Sequence, residues 1–282
     1  MNYRDFVQAR KNYLGASDAP IVMGVSPWRT PYQLWQDKLG IGGEQPDNYA
    51  MRKGREKEEC ARDAYIHLTG VKVEPKQVFH PKIKFMMANL DGLSSDSKVA
   101  VEIKCPGEED HSKAKRGEVP EKYFPQLQHQ LAVSGLDGMH YFSWRNDDIA
   151  LVEIEKDADY IKKMCAKEKK FWKHVEDLIP PEYEERDYHK INNDQWNSVA
   201  KEFLEAKRDI AWAEEREEMF KKQLIDMAQE KNCRGGGIML KKIMKKGNID
   251  YGKIPELKDV DLENFRKTPS SYWRIFEDMI DC

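Results

Sequence analysis

The strongest constraint on the fold lies between Val71 and Lys104, where apolar and polar residues alternate with a period of two in three successive segments, VKVEPKQVFH, KFMMANLDGL and KVAVEIKCP. Such alternation sends successive side chains to opposite faces of a strand, so these segments predict a sheet. Turn residues around Asp96 join the second segment to the third, which leaves two arrangements open, an antiparallel meander and a central mixed sheet. Helical patterns stand on both sides of the run, so the chain reads as α/β in the broad sense that includes α+β.

The first flanking helix is GREKEECARDAYIHL, from Gly54 to Leu68 and closed by Gly70. Cys60, Ala61, Ala64, Tyr65 and Leu68 share one stripe of it, and Glu58 lies nearest the edge of that stripe while Glu59 points away. Glu58 is therefore the candidate for an inward role, and a solvated acidic face with Arg55 and Arg62 accounts for the rest. EKYFPQLQHQLAVSG, from Glu121 to Gly135, is helical through Phe124, Leu127 and Leu131. Gln128 borders that stripe, and Gln126 and Gln130 lie further round. A hairpin over 139–154 turns at Asn146-Asp147-Asp148, a helix follows from about Asp157 to Asp177, and Pro180-Pro181 breaks the chain. Near the start, Ser17 before Asp18-Ala19-Pro20 and Thr30 before Pro31 read as helix caps. Each such start can hold an anion, although ordinary capping is the commoner explanation of both.

Beyond the prolines a charged helical stretch runs from about Asn193 to Lys231, with Trp196, Phe203, Ile210, Phe220 and Leu224 in near-helical register. At the helical rise it would be roughly 55 Å long, an arm or a helical hairpin more than a core helix. After Gly235-Gly236-Gly237 the segment IMLKKIMKKGNIDY predicts a β-hairpin. Between Lys231 and Lys253 seven basic residues, among them Lys241, Lys242, Lys245 and Lys246, face one acid, Asp250. The expected organisation is a core over 1–180 and an extension over 181–282.

Charge narrows the class of function. The chain has 282 residues, and 47 Lys and Arg against 50 Asp and Glu leave a net charge of -3, which excludes a uniformly basic coat and confines any nucleic-acid contact to a local patch. The five cysteines are far apart with no C-x-x-C pair, which speaks against a disulfide framework, a zinc knuckle or an iron–sulfur centre. No apolar signal core opens the sequence and no apolar run approaches a membrane span, so a soluble cytoplasmic protein is expected.

The residues that carry chemistry are Asp91, in NLDGL, and Glu102-Ile103-Lys104, in VEIKCP. Residues two apart on a strand share a face, so Glu102 and Lys104 project together. An Asp arriving from a neighbouring strand end would add a second carboxylate to that wall. Hard oxygen donors of this kind suit Mg²⁺ or Mn²⁺, and the Ile103 backbone carbonyl could complete the shell. A lysine beside such a site can hold or deprotonate a water and counter charge developing on a phosphoryl group. A Glu/Lys pair on one strand face is also an ordinary surface pairing, so the motif gains weight only from its neighbours.

Taken in order, Glu58 on a helix, LDG at Asp91, EIKCP at Glu102 and Lys104, and the QLQHQLAVSG helix resemble the YqaJ-type viral recombinase exonucleases, relatives of phage lambda exonuclease within the PD-(D/E)XK nuclease superfamily. The N-terminal LGASDAPIVMGVSPWRTPYQLW is similar to that family's opening, so the resemblance covers about residues 8–178. It implies a restriction-endonuclease-like core, a central mixed β-sheet flanked by helices. Asp91 and Glu102 would bind metal, Lys104 would be the catalytic lysine, Glu58 would assist metal or water, and Gln128 would orient water or the scissile phosphate. Arg10 and Ser17 would hold the 5′-terminal phosphate of a DNA end. For Trp28 two readings stand, a stacking role at that end and the commoner one of a buried aromatic.

The implied reaction is Mg²⁺-dependent 5′-to-3′ digestion of one strand of linear duplex DNA, with two ions per site when substrate is bound. It leaves a 3′ single-stranded tail on which a single-strand annealing protein loads. A ring-shaped homotrimer is expected by analogy alone. The short lambda-type enzyme does not cover the last hundred residues, where Lys241, Lys242, Lys245 and Lys246 are candidate DNA contacts. Two rivals are an endonuclease of the same fold and a non-catalytic DNA-end-binding scaffold.

Overall fold

In a computed structural model, which describes residues 12–42, 49–250 and, beyond these, 253–257, 260, 262–265, 267 and 270, the alternating run forms the strands it predicts. The sheet consists of β1 (Leu14–Gly15), β2 (Val73–Phe79), β3 (Met86–Ser94), β4 (Ala100–Lys104), β5 (Gly138–Arg145) and β6 (Asp148–Glu155). It is mixed: β3 is antiparallel to β2 and β4 and parallel to β1, β4 is parallel to β5, and β5 is antiparallel to β6. A parallel pair cannot be joined by a tight turn, so the crossover from β4 to β5 is where the chain must place helices. Asn146 and Asp147 take positive φ, 48° and 65°, in the turn between β5 and β6.

The chain divides into two compact units, Met1–Lys190 and Ile191–Cys282. Helices of the first are α1 (Ala19–Met23), α2 (Pro31–Leu39), α3 (Tyr49–Thr69), α4 (Glu108–Lys115), α5 (Phe124–Ser134) and α6 (Ala158–Glu176). One face of the sheet, with Met86, Ala88, Leu90 and Tyr141, packs on Leu127 and Leu131 of α5. The other, with Val73, Val101, Ile103 and Phe142, packs on Ala61 and Tyr65 of α3. Residues 181–188 stay with this unit: Thr30 donates to Asp187 at 2.5 Å, Arg186 donates to the Ser26 carbonyl at 3.2 Å, and Tyr183 lies 4.5 Å from Tyr32.

The register of β3 breaks at one place. Glu74 stands opposite Leu93 and Lys76 opposite Leu90, so Pro75 alone faces both Asp91 and Gly92. An extra residue in one strand bends it and re-aims a side chain, and a proline, lacking an N–H, leaves no ladder bond to be lost there. Before the bulge Met86, Ala88 and Leu90 face α5; after it Leu93 does, while Gly92 faces Val73 and Val101.

Several expectations need correction. Cys60 is exposed and Leu68 is 48% exposed, so α3 turns a narrower stripe inward than its sequence implies. Ser17 is not a cap: it is exposed within the 3-10 turn Ala16–Asp18, and the Asp18 carboxylate accepts from Gly15 N at 2.9 Å. Thr30 does cap α2, accepting from Gln33 N at 3.1 Å. In the second unit α7 (Asp194–Ala228) is one continuous helix of 35 residues, capped by Asn193. Its hairpin comes earlier than expected, β7 (Cys233–Gly235) with β8 (Ile238–Leu240), because Gly236 and Gly237 take φ of 53° and 81° and close the turn themselves. Lys241, Lys242, Lys245 and Lys246 follow it as exposed irregular chain.

A methyl group on Gly92 would stand 2.6 Å and 2.8 Å from Val73 and 2.8 Å from Val101, and neither branched side chain can swing clear. Gly92→Ala is expected to destabilise the protein by about 1–3 kcal/mol, read as a lower urea midpoint.

Candidate functional site

The bulge brings the carboxylates together. Strands β3 and β4 pair only at Gly92 with Val101 and Leu93 with Ala100. Past these pairs the Asp91 side chain replaces the ladder, its Oδ2 accepting from Ile103 N at 2.8 Å. Ile103 thus meets Asp91 through its N–H.

Glu102 is 2% exposed, and buried carboxylates require partners. Its Oε1 accepts from Lys104 Nζ and from Gln126 Nε2, both at 2.5 Å, and its Oε2 accepts from Gln130 Nε2 at 2.5 Å. Arg62 of α3 joins the other side, donating to the Asp91 carbonyl at 2.9 Å and to Glu58 at 2.8 Å. Glu58, Asp91, Glu102 and Lys104 therefore form one neighbourhood, as their order in the sequence suggested.

Gln128 lies elsewhere. Fully buried, it donates to the Glu155 carbonyl and accepts from Asp157 N, both at 2.9 Å, which ties α5 to the junction of β6 and α6. The two glutamines that touch Glu102 stand two residues to either side, about 200° round the helix. The apolar stripe does not separate the three glutamines, because α5 is buried on more than one side: Leu127 and Leu131 face the sheet, and His129 pairs with Glu168 of α6 at 2.7 Å with both side chains wholly buried. The usable signal was the spacing of four between Gln126 and Gln130, which puts two amides on one face.

Burial pushes the Asp91 carboxyl well above its ordinary range, and the charge of Glu102 pushes it further, with a smaller push from Glu58; Lys104 and the Ile103 N–H oppose them. Burial works against the charge of Lys104, but Glu102 and Asp91 outweigh it and hold the ammonium above the usual lysine range. Three acids against Lys104 and Arg62 leave negative charge in excess, and a hard cation would relieve the repulsion felt by Asp91. The donor set of Asp91, Glu102 and Glu58 fits such an ion in kind, yet among the described residues no three of His, Cys, Asp or Glu already converge as a ready-made metal cluster.

A row of rings leads outward from Lys104. Its ammonium lies 5.4 Å from the Tyr123 ring centre, Tyr123 stacks on Trp28 at 6.4 Å, and Lys122 lies 5.2 Å from Trp28 and 5.4 Å from Tyr123. Lys122 is anchored by Asp110 at 2.7 Å. Trp28 is 62% exposed, which corrects the reading of it as a buried aromatic. Arg10 lies outside the described residues, and Lys241, Lys242, Lys245 and Lys246 belong to the second unit.

Residues 5–137 match the family model described as the YqaJ-like viral recombinase domain. The uncharacterized protein YqaJ of Bacillus subtilis (strain 168) is 29% identical over 185 residues, which are 61% of this chain and 56% of YqaJ, so the match spans little more than half of that relative. Among solved structures, the alkaline exonuclease LHK-Exo from Laribacter hongkongensis is similar with a TM-score of 0.55 and 29% identity, over 62% of this chain and 94% of that one. The same exonuclease in complex with dAMP gives the same values. The match in sequence, the mixed sheet flanked by helices and the shared fold agree: over residues 5–137 this chain is similar to the YqaJ-like viral recombinase domain, and it is similar to YqaJ in sequence and to the alkaline exonuclease in sequence and fold.

Proposed function

We propose that the protein is a Mg²⁺-dependent exonuclease that digests one strand of linear duplex DNA from its 5′ end, leaving a 3′ tail for recombination by a single-strand annealing protein. The observation that carries this reading is the convergence of Asp91, Glu102 and Lys104 at the β3 bulge. An alkaline exonuclease of the same fold, also solved with dAMP, supports a deoxynucleotide substrate.

Asp91 and Glu102 would hold the ion, with Glu58 assisting from α3. A bound divalent cation supplies Lewis acidity to the incoming and leaving oxygens of a phosphodiester. The protein's own groups do the rest. Gln126 and Gln130 fix both oxygens of Glu102, so that its orientation costs nothing at the moment of reaction. Lys104 is a charged ammonium in this arrangement, suited to holding a water by hydrogen bonds and countering charge that develops on the phosphoryl oxygens. Ser17 and Arg10 would receive the 5′-phosphate, and the exposed face of Trp28 offers a base somewhere to stack.

The deciding experiment offers linear duplex with one 5′-phosphorylated end, beside closed circular DNA, in Mg²⁺. Mononucleotides from the phosphorylated strand and an intact circle are expected; a nicked circle would establish an endonuclease instead. Lys104→Ala is expected to slow digestion by about 10²–10³-fold or more with folding retained.

Asp91→Asn should abolish digestion and yet stabilise the protein, because Asn keeps an acceptor for Ile103 N without the buried charge. The raised pKa sets the sign: the penalty is absent below the unfolded carboxyl value, grows as pH rises through the folded value, and is complete above it. At neutral pH the variant should melt at a higher temperature than the parent chain, with the gain vanishing in acid.

If the exposed lysines after the hairpin hold the duplex, replacing Lys241, Lys242, Lys245 and Lys246 with Ala should flatten the plot of log affinity against log salt by up to about 0.9 per lysine. An unchanged slope would remove them from the DNA path.

A further inference from the structure

Helix α7 presents an apolar seam that the described fold leaves in water. From Trp196 to Met227 the residues at alternating steps of three and four are all apolar except Glu217, the repeat that winds one helix against another. Trp196 is 55% exposed, Phe203 42%, Ile210 59% and Phe220 48%, and Ala228 is the one buried residue of the helix. At 1.5 Å per residue the seam is about 47 Å long, too long for the short hairpin β7–β8 to cover.

We infer that α7 pairs with α7 of a second copy of this chain as an antiparallel coiled coil. The seam is self-complementary about its centre. Run antiparallel, Ile210 meets Ala213 of the second copy, Phe203 meets Phe220 and Trp196 meets Met227, each contact occurring twice by the two-fold axis. Small residues, Ala206 and Ala213, flank Ile210 at the middle of the seam, where two helices can approach closely. Glu217 falls opposite Ala206, where a small residue leaves its carboxylate room to reach water.

Flanking charge selects the direction. Antiparallel pairing sets Asp209 against Arg216 and Lys207 against Glu214, opposite signs at all four symmetric places. Parallel pairing would set Asp209 against Glu214 and Arg216 against Lys221, like signs in both, with only Glu202 against Lys207 favourable. Trp212 lies off the seam, and the Arg216 guanidinium rests 4.3 Å from its ring centre.

Sedimentation equilibrium of the full chain over a range of concentrations tests the inference without reference to activity. The Phe203→Glu/Phe220→Glu variant should halve the limiting mass while helix content by circular dichroism stays unchanged; Met219→Glu, off the seam, should leave the mass alone. Asp209→Arg should weaken self-association by about tenfold, from two new like-charge contacts, and Asp209→Arg/Arg216→Asp should restore it. A limiting mass that the seam variants do not change would overturn the pairing. So would stronger association of Asp209→Arg, because in a parallel pair that substitution faces Glu214 and turns repulsion into attraction.

Discussion

The bulge of β3 opposite Pro75 is the constraint from which the site follows. A strand that kept strict alternation would send Asp91 to the face opposite Leu90, towards α3 and away from Glu102. With two residues set against one, the alternation is reset, and Leu90 and Leu93 both reach the α5 face. The displaced Asp91 then takes the Ile103 N–H that the ladder no longer uses. Gly92 is the other half of the same device, since Val73 and Val101 close over its α-carbon and admit no side chain. Pro75, Asp91, Gly92 and Ile103 are therefore one structural unit, and a change in any of them moves the carboxylate.

Helix α5 supplies the second layer, and its sequence shows why it is polar where a core helix would ordinarily be apolar. Gln126 and Gln130 hold Glu102 from one side. Gln128 faces the other way and satisfies both a carbonyl and an N–H at the junction of β6 and α6. His129 bridges the Met87 carbonyl at 3.0 Å and Glu168 at 2.7 Å; burial works against its charge, but Glu168 outweighs it and holds the imidazole above its ordinary range. With both ring nitrogens facing acceptors, the protonated ring is the form that fills both bonds. Four polar side chains in five residues are thus all committed, Gln126 and Gln130 to the two oxygens of Glu102 and Gln128 and His129 to groups elsewhere, so α5 can neither rotate nor slide without stranding a buried group. A helix held this way keeps Glu102 oriented although the charges of Glu102 and Asp91 oppose each other.

The sequence made the strands legible because their period and turn residues agree, and it made Glu102 and Lys104 legible as a pair because residues two apart share a strand face; Asp91 joined them only through the order of the motifs, since strict alternation would have sent it to the other face. Helix faces were less so. The resemblance implied a role for Gln128, and the apolar stripe could not separate it from Gln126 and Gln130, because the helix is packed against both a sheet and α6. Arg62 was assigned to a solvated face with Glu59, although it lies four residues after Glu58 and reaches the Asp91 carbonyl. Helix α4 has too little apolar residue to show any period, its last turn being held instead by Lys113 and its first by acids. Lys122 and Tyr123 carry no motif, and their place beside Trp28 depends on contacts between segments about ninety-five residues apart. Long-range pairings of that kind leave no periodic trace.

Trp28 shows how the surface and the site are connected. An indole left in water forgoes roughly 25 cal/mol for each Å² of apolar area, so an exposed tryptophan is a position the fold does not choose for stability alone. Here it ends a row of three rings that become progressively more buried, Trp28 on Tyr123 at 6.4 Å and Tyr123 on Tyr141 at 6.1 Å, with interplanar angles of 27° and 30°. Lys122 and Lys104 are set against the rings of that row, and Lys104 is at the same time the partner of Glu102. The row thus runs from a buried tyrosine beside the carboxylates to an open aromatic face, with positive charge along it. Under the proposed function a nucleobase would add to such a row as the next ring, worth about 1–3 kcal/mol, and the adjacent lysines would counter its phosphate. An end of a DNA strand would meet both requirements at once, which a purely apolar partner would not.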